Sequence, residues 1–406
     1  MAIAPAGTSF AVSRSQPFSI WGRSTGVDSQ GLRRRAMDFS QMFSAQTSPI
    51  AIDFGSSAVK LMQATPGESP SLQAAVGLRI PDSLRNERDL RLDFLEKQLP
   101  RMLRKGGFKG RRVICSIPTA DTLIQHMQIT DAPGLDREET VKMQLSGERG
   151  MSPNGMVVRT YYVTEVHRNG EALSEVICFA ISREAVMRYV DMLRRCKLET
   201  VGVHSEIIGM IRAFDHMQPP PQKGVECTLY VDMGCSSTNV AITHGIQMVF
   251  ARCIQIGGQH LDERLAKKMG CDVATARAQR ISEQVLADGD APATQADGAV
   301  GVADSPDAEV LEIAGAIADE LSMCLRYHHS LFRDQPVNKV VFMGGESRNI
   351  KLCQHIAREI RLPAQLGDPL SRFEYKRSLR TPGLALGQPQ PGWAVACGLC
   401  NAPTDL

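Results

Sequence analysis

The sequence predicts an α/β protein of two lobes, and three local patterns predict it. Asp53-Phe54-Gly55-Ser56-Ser57 and Asp232-Met233-Gly234-Cys235-Ser236-Ser237 are two copies of one short motif, about 180 residues apart, each set between apolar β-rich runs. The third pattern, Val340-Val341-Phe342-Met343-Gly344-Gly345-Glu346-Ser347-Arg348-Asn349, is an apolar strand that opens through paired glycines into a helix. A chain of 406 residues can also bury a large core and divide into more than one domain or lobe.

The residue types point to anion chemistry. A strand that ends in Asp and turns through Gly and Ser presents backbone N–H and hydroxyl groups to an anion, and its carboxylate can hold a water or a hydrated cation. One such loop reads equally as an ordinary turn, because Asp, Gly and Ser are common turn residues. Two facing loops can clamp a nucleotide's phosphates. The glycines of the third pattern allow the backbone to approach a flat ligand closely.

The order of the three patterns resembles the actin, sugar-kinase and heat-shock-chaperone ATPase superfamily, as its phosphate-1, phosphate-2 and adenosine signatures. Within it, Ile52-Asp53-Phe54-Gly55-Ser56-Ser57-Ala58-Val59-Lys60-Leu61 is most similar to the PilM family of type IV pilus assembly. Tyr230-Val231-Asp232-Met233-Gly234 and Ile256-Gly257-Gly258-Gln259-His260-Leu261 fit the same family. The resemblance runs from about Pro49 to the end, roughly nine-tenths of the chain. It implies an actin-like (ribonuclease H-like) two-lobed ATPase fold with an inserted subdomain of the 1C type.

Taken in order, residues 1–48 are rich in Ser, Gly and Gln with little hydrophobic periodicity and read as disordered, with Met37 an alternative start. The first lobe spans 49–218. Strands are expected at Ile50 to Phe54, Ala58 to Ala64 and Ser71 to Arg79, where Leu72, Ala74, Val76 and Leu78 alternate. Leu92, Leu95, Leu99 and Met102 share one face of a helix, with a kink or break expected at Pro100. Arg112 to Ile117 is a strand, and Ile117-Pro118-Thr119-Ala120-Asp121 resembles the superfamily's first connecting segment. The 1C-like insertion covers about 122–181, with a strand, a helix from Asp136, and strands near Val157 to Val166 and Ser174 to Ile181. Met151-Ser152-Pro153-Asn154 stands where the family usually has an Ile-Pro-Phe-like turn.

Arg183 to Arg195 has a helical pattern, and Ser205 is placed to cap the next helix. Pro219-Pro220-Pro221 marks the lobe boundary. The second lobe spans 225–392, with a strand from Cys227 to Asp232 and a hairpin from Asn239 to Ile256 turning at His244-Gly245. Residues 288–307 are rich in Ala, Asp and Gly and read as a flexible insertion. Val310, Ile313, Ile317, Leu321, Leu325 and Leu331 form the stripe of a long helix. A last helix, Trp393 to Cys400 within 393–406, returns to the first lobe as the superfamily's second connecting segment does.

For the site, the resemblance implies that Gly55, Ser56 and Ser57 donate to the β- and γ-phosphates of ATP, with Lys60 reaching the same groups. Asp232 faces Asp53, and Gly234, Ser236 and Ser237 are the second set of donors. Asp53, Asp232 and Glu206 hold Mg²⁺ through water, although Glu206 reads equally as a capping-region carboxylate. Gly257 and Gly258 resemble glycines near the ribose in chaperone ATPases, or else form a plain turn between strand and helix. Arg280 and Arg277 stand where the family usually has a Lys and a Glu that frame the adenosine, so Arg277 reverses the expected charge. Gly344, Gly345 and Arg348 complete the nucleotide set. No catalytic base is identified, and any hydrolysis is expected to be slow. His204 reads as structural, and His328-His329 as surface and packing without zinc-motif spacing.

Composition narrows the partners. A net charge of +2 and 5% aromatic residues give no electrostatic or stacking case for nucleic acid. No apolar run approaches the roughly 20 residues of a spanning helix. Eleven scattered cysteines in a chain this long suit a reducing compartment, and Cys397-Gly398-Leu399-Cys400 lacks matching zinc ligands. The resemblance implies a cytoplasmic protein, peripheral at the inner membrane through a partner, that docks the cytoplasmic tail of a PilN-like inner-membrane protein beside other pilus assembly proteins. A related secretion machine, an FtsA-like filament and a small-molecule kinase follow in that order. The tail at Asn401 to Leu406 cannot form a membrane-targeting helix, and the oligomeric state, self-association included, stays open.

Overall fold

Ile50-Ala51-Ile52-Asp53-Phe54 is apolar at every position but one, the pattern of a strand covered on both faces, and it forms β1 (Ile50–Phe54) with all five residues buried. The computed structural model describes residues 47–404 apart from 68, 86, 131–135, 151, 216–225, 290–307 and 377. Residues 1–46, the triple proline and most of the proposed insertion at 288–307 therefore lie outside the described residues. After β1 come β2 (Ala58–Ala64), β3 (Leu72–Arg79), α1 (Arg88–Gly106) and β4 (Arg112–Ile117). Next are β5 (Leu123–Ile129), α2 (Arg137–Arg149), β6 (Met156–Arg168), β7 (Glu171–Ser182), α3 (Arg183–Arg195), β8 (Glu199–Ser205) and α4 (Glu206–Arg212). The chain continues with β9 (Cys227–Met233), β10 (Thr238–His244), β11 (Gln247–Ile254), α5 (Gly258–Met269), α6 (Val273–Gly289) and α7 (Ala308–Leu331). It ends with β12 (Lys339–Met343), α8 (Ile350–Ile360), β13 (Ala364–Leu366) and α9 (Ala394–Leu399).

The motif duplication is a duplication of whole sheets. One five-stranded sheet has the order β3-β2-β1-β4-β8 and the other β11-β10-β9-β12-β13. In each, the central strand pairs antiparallel with the next strand in sequence and parallel with a later one. The hairpin registers match as well: Phe54 faces Val59 and Asp53 faces Lys60, just as Met233 faces Thr238 and Asp232 faces Asn239. A third, three-stranded antiparallel sheet, β5-β7-β6, carries α2, whose Val141 and Leu145 pack with Met127, Met156 and Val176 in a core of their own. Asp136 caps α2 by accepting from the Glu138 N–H at 3.0 Å, as its position before the helix predicts.

Of the kink or break expected at Pro100, the break does not occur, because α1 runs as one helix through it. Proline removes one N–H, which leaves the carbonyl four residues earlier, that of Glu96, without its helical donor. Here the Cys196 thiol donates to that carbonyl at 3.5 Å, and Leu92, Leu95, Leu99 and Met102 bury the inner face on both sides of the proline. The paired glycines after β12 also differ in detail. They open into a 3-10 turn at Glu346–Arg348, and the helix proper starts at Ile350.

Helix α9 packs on α4, β1, β2 and β4. The α4 and α9 backbones touch at Gly209 and Gly398, where a Cβ on Gly398 would lie 1.8 Å from the Gly209 carbonyl oxygen. Only glycine permits that approach. It fixes the start of α4, and so Glu206, against the end of the chain.

Candidate functional site

The two repeated loops turn in the same way. A Cβ at Gly55 would meet the Ala58 carbonyl oxygen at 2.9 Å, and a Cβ at Gly234 would meet the Ser237 carbonyl oxygen at the same 2.9 Å. Both turns thus need glycine for the same close approach. In the second, the Gly234 N–H closes the loop by donating to Ser237 O at 2.9 Å. Each loop hands the residue seven positions after its Asp back to the Asp's side by strand pairing. In the first copy that residue is Lys60, whose Nζ lies 3.1 Å from Asp53 Oδ2. In the second it is Asn239, whose Nδ2 donates to Asp232 Oδ2 at 3.4 Å.

Glu206 joins them from the start of α4. Ser205 caps that helix by accepting from the Ile207 N–H at 3.2 Å, which sets Glu206 as its first residue. Glu206 Oε2 accepts from the Thr119 N–H and the Thr119 hydroxyl, both at 2.8 Å, and from Asn239 Nδ2 at 3.3 Å. The Ser116 hydroxyl donates to Asp53 Oδ1 at 3.4 Å. Three carboxylates therefore converge on a site with one ammonium. Burial, then the Asp53 charge, pushes Glu206 up to about 7 against the Thr119 hydrogen bonds. Burial likewise pushes Asp232 up to about 6, with Lys60 opposing and Asp53 adding to the rise. Burial pulls Lys60 down, but Asp53, Asp232 and Glu206 together hold its value above the ordinary one. The cluster is short of positive charge. Asn239 Oδ1 is also buried with no partner among the described residues. Carboxylate oxygens and an unfilled amide oxygen are the donor set of a hydrated divalent cation such as Mg²⁺.

These groups line a cleft of about 440 Å³. Asp53, Gly55, Ser56, Ser57 and Lys60 come from the first loop, and Asp232, Gly234, Ser236 and Ser237 from the second. Glu206, Gly344, Gly345 and Arg348 lie on its walls. Gly344 has φ +92°, and a Cβ there would sit 2.3 Å from Met233 O and 2.6 Å from Asp232 Oδ1, so the third pattern presses directly on the second loop. Arg348 donates to the buried Gln390 at 2.7 Å.

Three expected residues do not line the cleft. Gly257 and Gly258 lie behind the second loop, where the Gly258 N–H donates to Gly234 O at 3.0 Å and the Gln259 N–H to Cys235 O at 2.8 Å. The first amides of α5 thus hold the loop's carbonyls and are not free for a ligand. Arg280 is buried in an ion-pair chain, with Nε 2.7 Å from Asp262 Oδ1 and Nη1 2.6 Å from Glu346 Oε2. Arg277 does line the cleft, beside Ile281, and donates to Cys235 Sγ at 3.5 Å. Arg85, between β3 and α1, approaches the same sulfur at 3.7 Å. His204 is structural: its Nε2 lies 3.0 Å from Pro403 O.

Thr119 and Asn239 line the cleft and bond to Glu206, and the motif reading passed over both. Asn239 had a signal, since it occupies in the second repeat the place of Lys60 in the first. Thr119 lay in a segment read only as connecting.

A family model described as "Type IV pilus assembly protein PilM" matches residues 51–401. Among solved structures, a PilM-PilN type IV pilus biogenesis complex is similar over 87% of this chain and 98% of that one, at 18% identity and a TM-score of 0.68. The ethanolamine utilization protein EutJ of Carboxydothermus hydrogenoformans matches over 87% of this chain and 89% of its own, at 13% identity and a TM-score of 0.47. MreB5 of Spiroplasma citri bound to ADP matches over 86% and 94%, at 11% identity and a TM-score of 0.43. The fold is that of the actin-like ATPases.

Proposed function

The chain belongs to the family of type IV pilus assembly protein PilM, and from that premise we propose that its cleft binds ATP with Mg²⁺ and that it docks the cytoplasmic tail of a PilN-like inner-membrane protein. One observation carries the nucleotide half: Asp53, Glu206 and Asp232 converge on Lys60 between two glycine loops of the same geometry. The loop amides and serine hydroxyls suit phosphate oxygens, and Lys60 offers a mobile positive charge to them. The carboxylates would hold the metal's water shell, and the cation in turn keeps them from repelling the phosphates. Binding that draws the two loops together would favour one arrangement of the two sheets over others, which is how occupancy of the cleft would reach a partner surface.

The partner half rests on family membership and on the similarity to a PilM chain solved with PilN. Among the described residues no helix is long and apolar enough to cross a membrane. Attachment to the cytoplasmic face of the inner membrane through such a tail fits that reading.

Calorimetric titration of Mg²⁺ and ATP into the protein tests the cleft, repeated with Asp53→Ala and Asp232→Ala. Binding to the wild type and its loss in folded variants is the expected result. Absence of binding to the wild type overturns the nucleotide half. The partner half is tested by titrating a PilN-like tail peptide with and without nucleotide, and failure in both states overturns it.

A further inference from the structure

At the far end of β9 from Asp232, metal-ligating side chains from three elements converge. Cys227 opens β9, and the register with β10 sets His244 directly opposite it. His328, buried on α7, completes the group. The Nε2 atoms of His244 and His328 are 2.9 Å apart, and Cys227 Sγ is 3.7 Å from His328 Nε2. All three donor atoms lie within 4.8 Å of one another. In a tetrahedral zinc centre with bonds of about 2.05 Å to nitrogen and about 2.3 Å to sulfur, donor atoms stand roughly 3.3 Å apart for N to N and roughly 3.6 Å for N to S. The two separations from His328, 2.9 Å to nitrogen and 3.7 Å to sulfur, stand within about 0.4 Å of those values.

Hydrogen bonding can join only one pair of this cluster well. A bare His328 Nε2 has one lone pair and accepts from His244 or from the Cys227 thiol, not from both. If it carries the proton instead, it can serve only one neighbour well. A cation at the point where the three atoms meet satisfies all of them. The surroundings hold the cluster in place. Asn338 Oδ1 accepts from the Cys227 N–H and the Asn338 N–H donates to Cys227 O, both at 2.8 Å. The Phe332 ring packs edge-on to His244 with centroids 4.6 Å apart and tilted on His328 at 5.2 Å. His328 is only 2% exposed, whereas His244 is partly exposed and gives an ion a way in.

We propose that Cys227, His244 and His328 form a zinc site of two imidazole nitrogens and one thiolate, which clamps α7 to the end of the second sheet opposite the nucleotide loops. Burial lowers both imidazoles, which favours the neutral form that ligates. Burial pushes the Cys227 thiol up to about 12, so zinc must displace its proton, and one proton leaves for each ion bound. The site is distinct from the cleft. Five residue steps along β9, roughly 16 Å at about 3.3 Å per step, part Cys227 from Asp232, and a soft nitrogen and sulfur set does not suit Mg²⁺.

Cobalt(II) titrated without oxygen into the full chain tests this through the near-ultraviolet thiolate-to-cobalt charge-transfer band. Saturation at about one ion per chain, release of one proton and displacement by zinc are expected. Cys227→Ser should abolish the band, and His328→Gln should weaken cobalt binding at least about tenfold. A wild-type chain without the band, or a band of equal strength in Cys227→Ser, overturns the proposal, the latter by assigning it to another of the eleven cysteines. His244→Gln, at the partly exposed position, decides the matter if the buried variants do not fold: unchanged cobalt affinity there overturns it too.

Discussion

Gly257→Ala distinguishes a glycine that touches the nucleotide from one that holds the loop touching it. The new Cβ would lie 2.6 Å from Cys235 O and 2.7 Å from Ser237 N, both backbone atoms of the second loop. To reach ordinary contact at 3.4 Å the loop must retreat by about 0.8 Å. The amides of α5 tie Gly234 and Cys235 to the same spot, so the retreat stretches the hydrogen bonds of Gly258 and Gln259 as well. Overpacking of this kind costs about 1–3 kcal/mol of stability. Moving a loop donor out of reach of a phosphate forfeits a charge-assisted hydrogen bond of about 1.5–3 kcal/mol, a loss of roughly ten- to hundredfold in affinity. The loss belongs to the phosphates alone. Calorimetry with inorganic tripolyphosphate, ATP and adenosine should therefore show the first two weakened by the same factor and adenosine unchanged. A folded variant with undiminished tripolyphosphate affinity, or one weakened for adenosine only, would refute the reasoning and return Gly257 to the ribose.

Three further outcomes follow from the packing. Pro100→Ala restores an α1 amide and should raise stability by about 1–3 kcal/mol in urea unfolding, while Cys196→Ala, which loses its packing in either background, should cost about 1 kcal/mol more in the wild type than in the Pro100→Ala background, where its acceptor has a helical donor. Gly398→Val drives a side chain into the Gly209 carbonyl and should destabilise by about 3 kcal/mol or more, read as a lowered melting temperature. Glu175 is 1% exposed and accepts from Tyr327 at 2.5 Å and from His126 at 3.3 Å; although burial opposes them, these bonds hold its carboxyl below the usual 4.5. A depressed folded value means that stability present above 4.5 is lost as pH falls through the folded value, so melting temperature should decline with acid in that window and Glu175→Gln should flatten the decline.

The parts of the molecule legible in the sequence were those built from short-range pattern. The strands at Ile50–Phe54 and Ala58–Ala64, the cap at Ser205 and the loop glycines each follow from a few adjacent residues. The helix continues through Pro100 because the freed carbonyl is met by Cys196 at the end of α3, which no local rule contains. Arg280 misled for a related reason. Its place three residues after Arg277 fits a nucleotide-facing pair, yet Asp262 and Glu346 arrive from α5 and from the turn after β12 to bury it in ion pairs. The Cys227, His244 and His328 cluster has no spacing signature at all, since three separate elements supply one ligand each.

The repeat itself explains where the chemistry sits, because the two halves are alike in backbone and unlike in charge. Both loops end a central strand in Asp, turn at a glycine whose added Cβ would meet a carbonyl oxygen at 2.9 Å, and return a side chain across the same register pair. A symmetric cleft of that kind would face phosphates with two equal carboxylates and no cation of its own. Lys60 in the first copy adds a positive charge, and Asn239 in the second adds a neutral amide that bridges Asp232 to Glu206. The first loop thus sets a cation beside its carboxylate, and the second sets a neutral amide between two carboxylates. Exchanging the two, with Lys60→Asn and Asn239→Lys together, keeps composition and net charge while reversing that division. If the cleft needs only the correct total charge, the double variant binds Mg²⁺ and ATP as the wild type does; if it needs the division, affinity falls by more than either single change would suggest.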